Sequence, residues 1–268
     1  MKDQFNLAKF SINRKGIISS RTGRTAGSSR IEVERHGQIL HIGIVGQITP
    51  LMLVSLIQHI RVVDATISLA KDIPLSSPKL RMSTAEACLA FGGYALHLYE
   101  RQYRGLFSSQ FVSWSQMDKG PIEISQLVSD LATIQLNFKD TPSTLAHLNE
   151  SQMQPMSFIY PNSNFDLVIG KWPETAVWPK QASLVSAPIE DTIPAPFGFW
   201  LRIVYETAFA IRVPLLHHGQ MMLADETLNP HMRAFQRLLF PISPASEKPA
   251  NFRLISVAVC LDDQSVIV

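Results

Sequence analysis

The densest run of groups able to do chemistry is His217-His218, Asp225-Glu226 and His231, which together could offer imidazole nitrogens and carboxylate oxygens to a metal. Their spacing argues against a shared site. Adjacent histidines on a strand point to opposite faces, and in a loop beside Gly219 they mark a solvated turn. These five are read as surface and turn residues, and no metal ligand is assigned. Nucleophilic catalysis needs a Ser or Cys with a positioned base, yet no Gly-x-Ser-x-Gly occurs, and Cys88 and Cys260 lie in apolar periodic contexts that suit a core. Gly43-Ile44-Val45-Gly46 lacks the third glycine of a dinucleotide site and the Lys-Ser/Thr of a P-loop, so it reads as strand glycines. No catalytic residue is assigned, and an enzyme of unrecognised type is kept only as an alternative.

A second concentration is aromatic. Phe197, Phe199, Trp200, Tyr205 and Phe209 fall within one predicted helix. Such residues either fill a packed core or line an apolar ligand cavity, since the two uses draw on the same side chains.

The elements that must position these groups follow from periodicity and punctuation. In the C-terminal half, Met156 to Tyr160 and Phe165 to Gly170 flank a Pro-Asn-Ser-Asn turn and predict a hairpin. Trp172 to Pro196 carries five prolines and can be only a connector with short helical turns. Phe197 to Val213 has Trp200, Ile203, Val204, Thr207 and Ile211 at helical spacing and ends at Pro214. Strands are then predicted over Leu215 to Ala224, Arg233 to Ile242 and Phe252 to Leu261. The fold class expected is α+β: a five-stranded antiparallel sheet at the C-terminus with its helices on one face, preceded by a smaller α/β region.

In the N-terminal half, Ile31 to Val45 around His36-Gly37 predicts a β-hairpin. Thr49-Pro50 suits a helix start, with a helix over 50–63. A short strand is expected over 65–70, and Ser83-Thr84-Ala85-Glu86 fits a capping box. Gly92-Gly93 is expected to end that second helix, because each glycine costs about 1 kcal/mol inside one, which leaves Tyr94 to Leu98 as a strand. A third helix over Glu123 to Leu136 bridges the halves, and the polar stretch between Asp140 and Pro155 is the expected domain entrance. The domains read as a flexible basic tail over 1–29, an α/β domain with its bridging helix over 30–140, and a C-terminal domain over 150–268.

Composition bounds the classes of function. Residues 1–30 hold seven basic residues against Asp3 alone, a net of +6, which leaves −4 for the remainder of a chain whose total is +2. A mildly acidic body with a basic arm gives no global case for nucleic-acid binding. The arm lacks the apolar core of a secretory signal, and its Arg/Ser-rich character is shared by transit peptides and ordinary basic tails. Two cysteines build no disulfide framework and point to a reducing, cytoplasmic setting. The longest apolar run, Leu51 to Ile57, is too short for a membrane span. Charged residues are only 17% of the chain, so part of the surface is expected to meet a partner, either a second copy or a signalling protein.

The order of two strands, a connector, one helix and three antiparallel strands resembles the PAS architecture. The stretches FWLRIVYETAFAIRVPLL, FQRLLFPIS and FRLISVAVCL resemble a bacterial PAS-like sensor family over about residues 150–262. Arg237, Leu238, Leu239 and Pro241 occupy the places of that family's Arg-Leu-Leu-Pro-type segment. The Pro-rich connector with Trp172 and Trp178 departs from the family, whose members follow the first hairpin with a short helix and a Gly-centred pocket entry. The resemblance implies a small-molecule sensor or protein-interaction domain in signal transduction, with any ligand held between helix and sheet. It makes Trp172, Trp178, Phe197, Trp200, Tyr205, Phe209 and Arg237 candidate ligand-binding residues and leaves the cofactor unknown. The N-terminal half resembles STAS signalling domains in the order of its elements alone.

Overall fold

A computed structural model describes residues 9–20, 28–70, 81–112, 156–162, 166–171, 187–193, 195–224, 230–242, 253–260 and 266–267. The chain divides into two units, Met1–Gln102 with Phe209–Arg212, and Tyr103–Ala208 with Val213–Val268. Each carries its own sheet, and the α+β class holds for both.

In the first unit the strands β1 (Lys9–Asn13), β2 (Ile18–Ser19), β3 (Arg30–His36) and β4 (Ile39–Val45) precede helix α1 (Pro50–Ile60). Strands β5 (Thr66–Leu69) and β6 (Arg81–Ser83) lead into α2 (Thr84–Gln102). The spatial order is β2-β1-β3-β4-β5-β6. Gly37 sits at φ +62°, a left-handed turn position that favours glycine, and closes the expected β3–β4 hairpin. Among the described strands of this unit only β4 and β5 pair in parallel, and α1 supplies the crossover that parallel neighbours require. Thr49 caps α1, its Oγ1 accepting from the Met52 N–H at 3.3 Å. Nearly all of α1 is buried, from Met52 through Ile57 and again at Ile60.

Two sequence expectations fail in this unit, each for a physical reason. Residues 9–19, read as part of a flexible basic tail, form the β1–β2 hairpin, and β1 pairs with β3 along its whole length. Phe10 and Ile12 alternate with polar neighbours and enter the core, which anchors the hairpin despite the surrounding charge. Helix α2 runs unbroken through Gly92-Gly93, so no strand forms at Tyr94 to Leu98. Ala87, Cys88, Phe91, Gly92, Ala95, Leu96 and Tyr99 make one buried stripe at helical spacing, and burying it outweighs about 2 kcal/mol of glycine propensity. The capping box is present: the Ser83 N–H donates to Glu86 Oε2 at 2.8 Å and the Glu86 N–H to Ser83 Oγ at 3.2 Å.

The second unit holds β7 (Phe107–Val112), β8 (Met156–Pro161), β9 (Leu167–Lys171), the short helix α3 (Ile189–Thr192) and helix α4 (Phe197–Ile211). Strands β10 (Leu215–Ala224), β11 (Pro230–Ile242), β12 (Arg253–Cys260) and β13 (Val266–Ile267) complete it. The sheet order is β7-β10-β11-β12-β8-β9, with β13 paired to β12, and every pairing is antiparallel. The sheet therefore has seven described strands where five were expected. One extra strand, β7, lies in the stretch that the sequence assigned to the first domain. Its partner is β10, and the junction depends on Gly219: a Cβ there would come within 2.0 Å of the Ser108 carbonyl oxygen. The predicted bridging helix over 123–136 and the domain entrance at 140–155 lie outside the described residues, as do Trp172 and Trp178. No described helix is long and apolar enough to cross a membrane.

Candidate functional site

Antiparallel register sets a row of side chains across the second sheet. His217 on β10 stands opposite Phe111 on β7 and opposite Arg237 on β11, which in turn faces Ala258 on β12. Directly opposed residues share a face, so Phe111, His217 and Arg237 project together. The same face presents Phe107, four residues before Phe111 on β7, and Phe235 and Ser256, two residues before Arg237 and Ala258 on theirs. Helix α4 lies against it, because the Tyr205 hydroxyl is 3.3 Å from Ser256 Oγ and the Trp200 ring stacks on Phe107 at 5.1 Å between centroids.

The result is a cage of aromatic rings around two basic groups. The His217 ring lies 5.2 Å from Trp200, 5.2 Å from Phe235 and 5.6 Å from Phe111. The Arg237 guanidinium is 5.8 Å from the Trp200 and Tyr205 rings and 5.6 Å from Phe235, within reach of cation–π attraction. His217, Arg237, Trp200, Tyr205 and Phe235 are all fully buried.

Arg237 Nη1 lies 3.3 Å from His217 Nδ1. A guanidinium has no acceptor, so the hydrogen bond runs from arginine to histidine and the imidazole Nδ1 carries no proton. Burial, then the charge of Arg237 and then His218, hold the His217 pKa well below its ordinary value, so the ring is neutral and its one proton sits on Nε2. That Nε2 is buried and has no hydrogen-bond partner among the described residues. A buried unsatisfied donor costs about 1–3 kcal/mol. Burial also lowers the Arg237 pKa, with Tyr205 opposing the shift, yet an arginine that starts so high stays cationic at neutral pH.

The structure brings together three of the sequence-derived candidates, Trp200, Tyr205 and Arg237. Phe197 stands at the margin of the cage, its ring 5.5 Å from Phe107. Phe209 is buried but falls in the stretch Phe209–Arg212 that belongs with the first unit. Trp172, Trp178, Asp225 and Glu226 lie outside the described residues, and His231 lies in β11.

His217 is the main correction. Sequence reasoning placed it on the surface with His218, whereas the two sit on a strand and point to opposite faces. His218 is partly exposed and accepts from Gln110 Nε2 at 2.8 Å, while His217 enters the core. The available signal was its phase: His217 shares a strand face with Leu215 and Met221, both buried. Phe107, Phe111, Phe235 and Ser256 were also missed, since only register shows which strand positions meet. Among the described residues no three His, Cys, Asp or Glu side chains cluster as a metal site. No protein-family model, curated protein or solved structure matches the chain.

Proposed function

We propose that the second unit is a PAS-like sensory domain in a non-enzymatic regulatory protein, binding a small molecule between α4 and the sheet. The observation that carries this reading is the fully buried His217–Arg237 pair inside an aromatic cage. Structural need does not explain it, because a buried cation is commonly no more stabilising than an apolar side chain of similar volume. Apolar walls with a few convergent polar groups are the usual make-up of a ligand site. The chain order also supports the reading: the hairpin β8–β9, a connector, α4 and then β10, β11 and β12 follow the order of elements in PAS domains. On this reading β7 and β13 are additions to a five-stranded frame.

The signal would leave as a population shift between two packings of α4 against the sheet, one of them preferred by the ligand. The first unit then carries the output or a dimer contact to a signalling partner in the cytoplasm. Native mass spectrometry and an ultraviolet–visible absorption spectrum of the purified full-length chain test the proposal. A non-covalent mass increment that is lost in Arg237→Met supports it. An increment unchanged by that substitution places the ligand elsewhere and sinks this site.

A further inference from the structure

We propose that the polar face of the first unit's sheet binds a small primary ammonium compound in a hollow above Gly43, its N–H groups donating to Glu32, Glu34 and the Ser68 hydroxyl. This goes beyond the sensory reading of the second unit and does not depend on it.

The hollow has a volume of about 260 Å³, and its lining includes Lys9, Glu32, Glu34, His41, Gly43 and Ser68. Register puts these residues on one face. Lys9, Glu34, His41 and Ser68 are successive partners across β1, β3, β4 and β5, and Glu32 stands opposite Gly43 in the next row. Ile31, Val33, Leu40 and Ile42 alternate with them and enter the core. Gly43 makes the space, and the fold does not ask for a glycine there. It lies inside β4, between β3 and β5, its φ is not positive, and an added Cβ would meet nothing within 4 Å. Glycine weakens a strand interior and often marks the close approach of a ligand.

The lining carries two carboxylates against one ammonium, which favours a cation over an anion. Arg30 Nε donates to Glu32 Oε1 at 2.7 Å, Lys9 Nζ donates to Glu34 Oε2 at 3.3 Å, and His36 Nε2 lies 3.5 Å from Glu34 Oε1. These contacts leave acceptor capacity, because an ionised carboxylate has about four lone-pair sites. Across the hollow, the Ser68 hydroxyl has no hydrogen-bond partner among the described residues. A primary ammonium brings three N–H donors and a charge to these acceptors, and such charge-assisted bonds are the stronger kind. At about 30 Å³ per water the hollow has the volume of roughly nine waters, so the ligand is of that order in heavy atoms.

The test follows the Gly43 and Ser68 backbone amides of the full-length protein by 15N-edited NMR at about pH 8, above the ordinary histidine range. Ethanolamine and n-butylamine hydrochlorides are titrated at constant ionic strength against sodium acetate and tetramethylammonium chloride, which has the charge without N–H donors. The expected result is a saturable shift at both amides with at least one primary ammonium, binding at least about five-fold more tightly than tetramethylammonium. Gly43→Val should fill the hollow and abolish the shift at Ser68 while keeping the unfolding midpoint, since β-branched residues suit strands. Glu32→Gln should weaken binding about two- to five-fold, and it keeps the site testable if Gly43→Val does not fold. Equal binding of tetramethylammonium, tighter binding of acetate, or a Ser68 shift that survives Gly43→Val overturns the site. So does the absence of any shift with either amine at about 50 mM.

Discussion

Acidification should destabilise this protein through His217 in particular. Its pKa lies well below the ordinary value near 6.5 in the folded chain, because burial and then the charges of Arg237 and His218 oppose protonation. On unfolding it returns to about 6.5. A depressed folded-state pKa means the unfolded chain binds the extra proton first. The stability that His217 contributes as a neutral ring is therefore complete above about pH 6.5 and falls as the pH drops toward the folded value. One pH unit below 6.5, the loss reaches up to about 1.4 kcal/mol, close to RT ln 11. His217→Asn isolates this effect, since Asn offers an oxygen near the position of Nδ1 to accept from Arg237 but does not titrate. Urea unfolding followed by circular dichroism at about pH 7.5 and about pH 5.5, extrapolated linearly, measures it. The wild type should lose up to about 1.4 kcal/mol more than the substituted protein between the two conditions. His59 also titrates below its ordinary value, chiefly from burial and then the opposing effects of a Ser55 backbone bond and Arg61, but it is common to both proteins and cancels. Equal losses in the two proteins would refute a buried neutral imidazole at position 217.

Three further outcomes follow from geometry. Ile12→Ala should cost about 2–5 kcal/mol by urea denaturation, because Ile12 is fully buried in the β1 hairpin; a free tail would show no change. Gly219→Ala should destabilise the protein by at least about 2 kcal/mol, since its Cβ would meet the Ser108 carbonyl oxygen at 2.0 Å and the Ser109 Cα at 2.6 Å; hydrogen exchange should show the loss first in the β7 amides. Ser83→Ala should cost about 1 kcal/mol in thermal or urea unfolding by removing one arm of the capping box of α2, and an unchanged midpoint would contradict the cap.

Much of the fold was legible locally. Thr49-Pro50, Ser83 with Glu86 and the His36-Gly37 turn act over three or four residues, so their chemistry reads directly from the chain. The α4 helix and the strands β10, β11 and β12 likewise follow from apolar periods of 3.6 and 2. Where propensity met packing, the local rule lost: Gly92-Gly93 stays helical because the stripe from Ala87 to Tyr99 is buried.

By itself, then, the sequence determined helices α1 and α4, the hairpins β3–β4 and β8–β9, the strands β10 to β12, the α+β class, and the presence of Trp200, Tyr205 and Arg237 on elements able to meet. Tertiary structure alone decided that they do meet, and that His217 joins them. The register of β10 on β11 sets His217 against Arg237, 20 positions away, and the docking of α4 brings Tyr205 to Ser256, 51 positions away. A one-residue slip in that register would have turned His217 to the other face, because side chains alternate with a period of two. Local sequence does not encode that choice; the burial of one whole sheet face does.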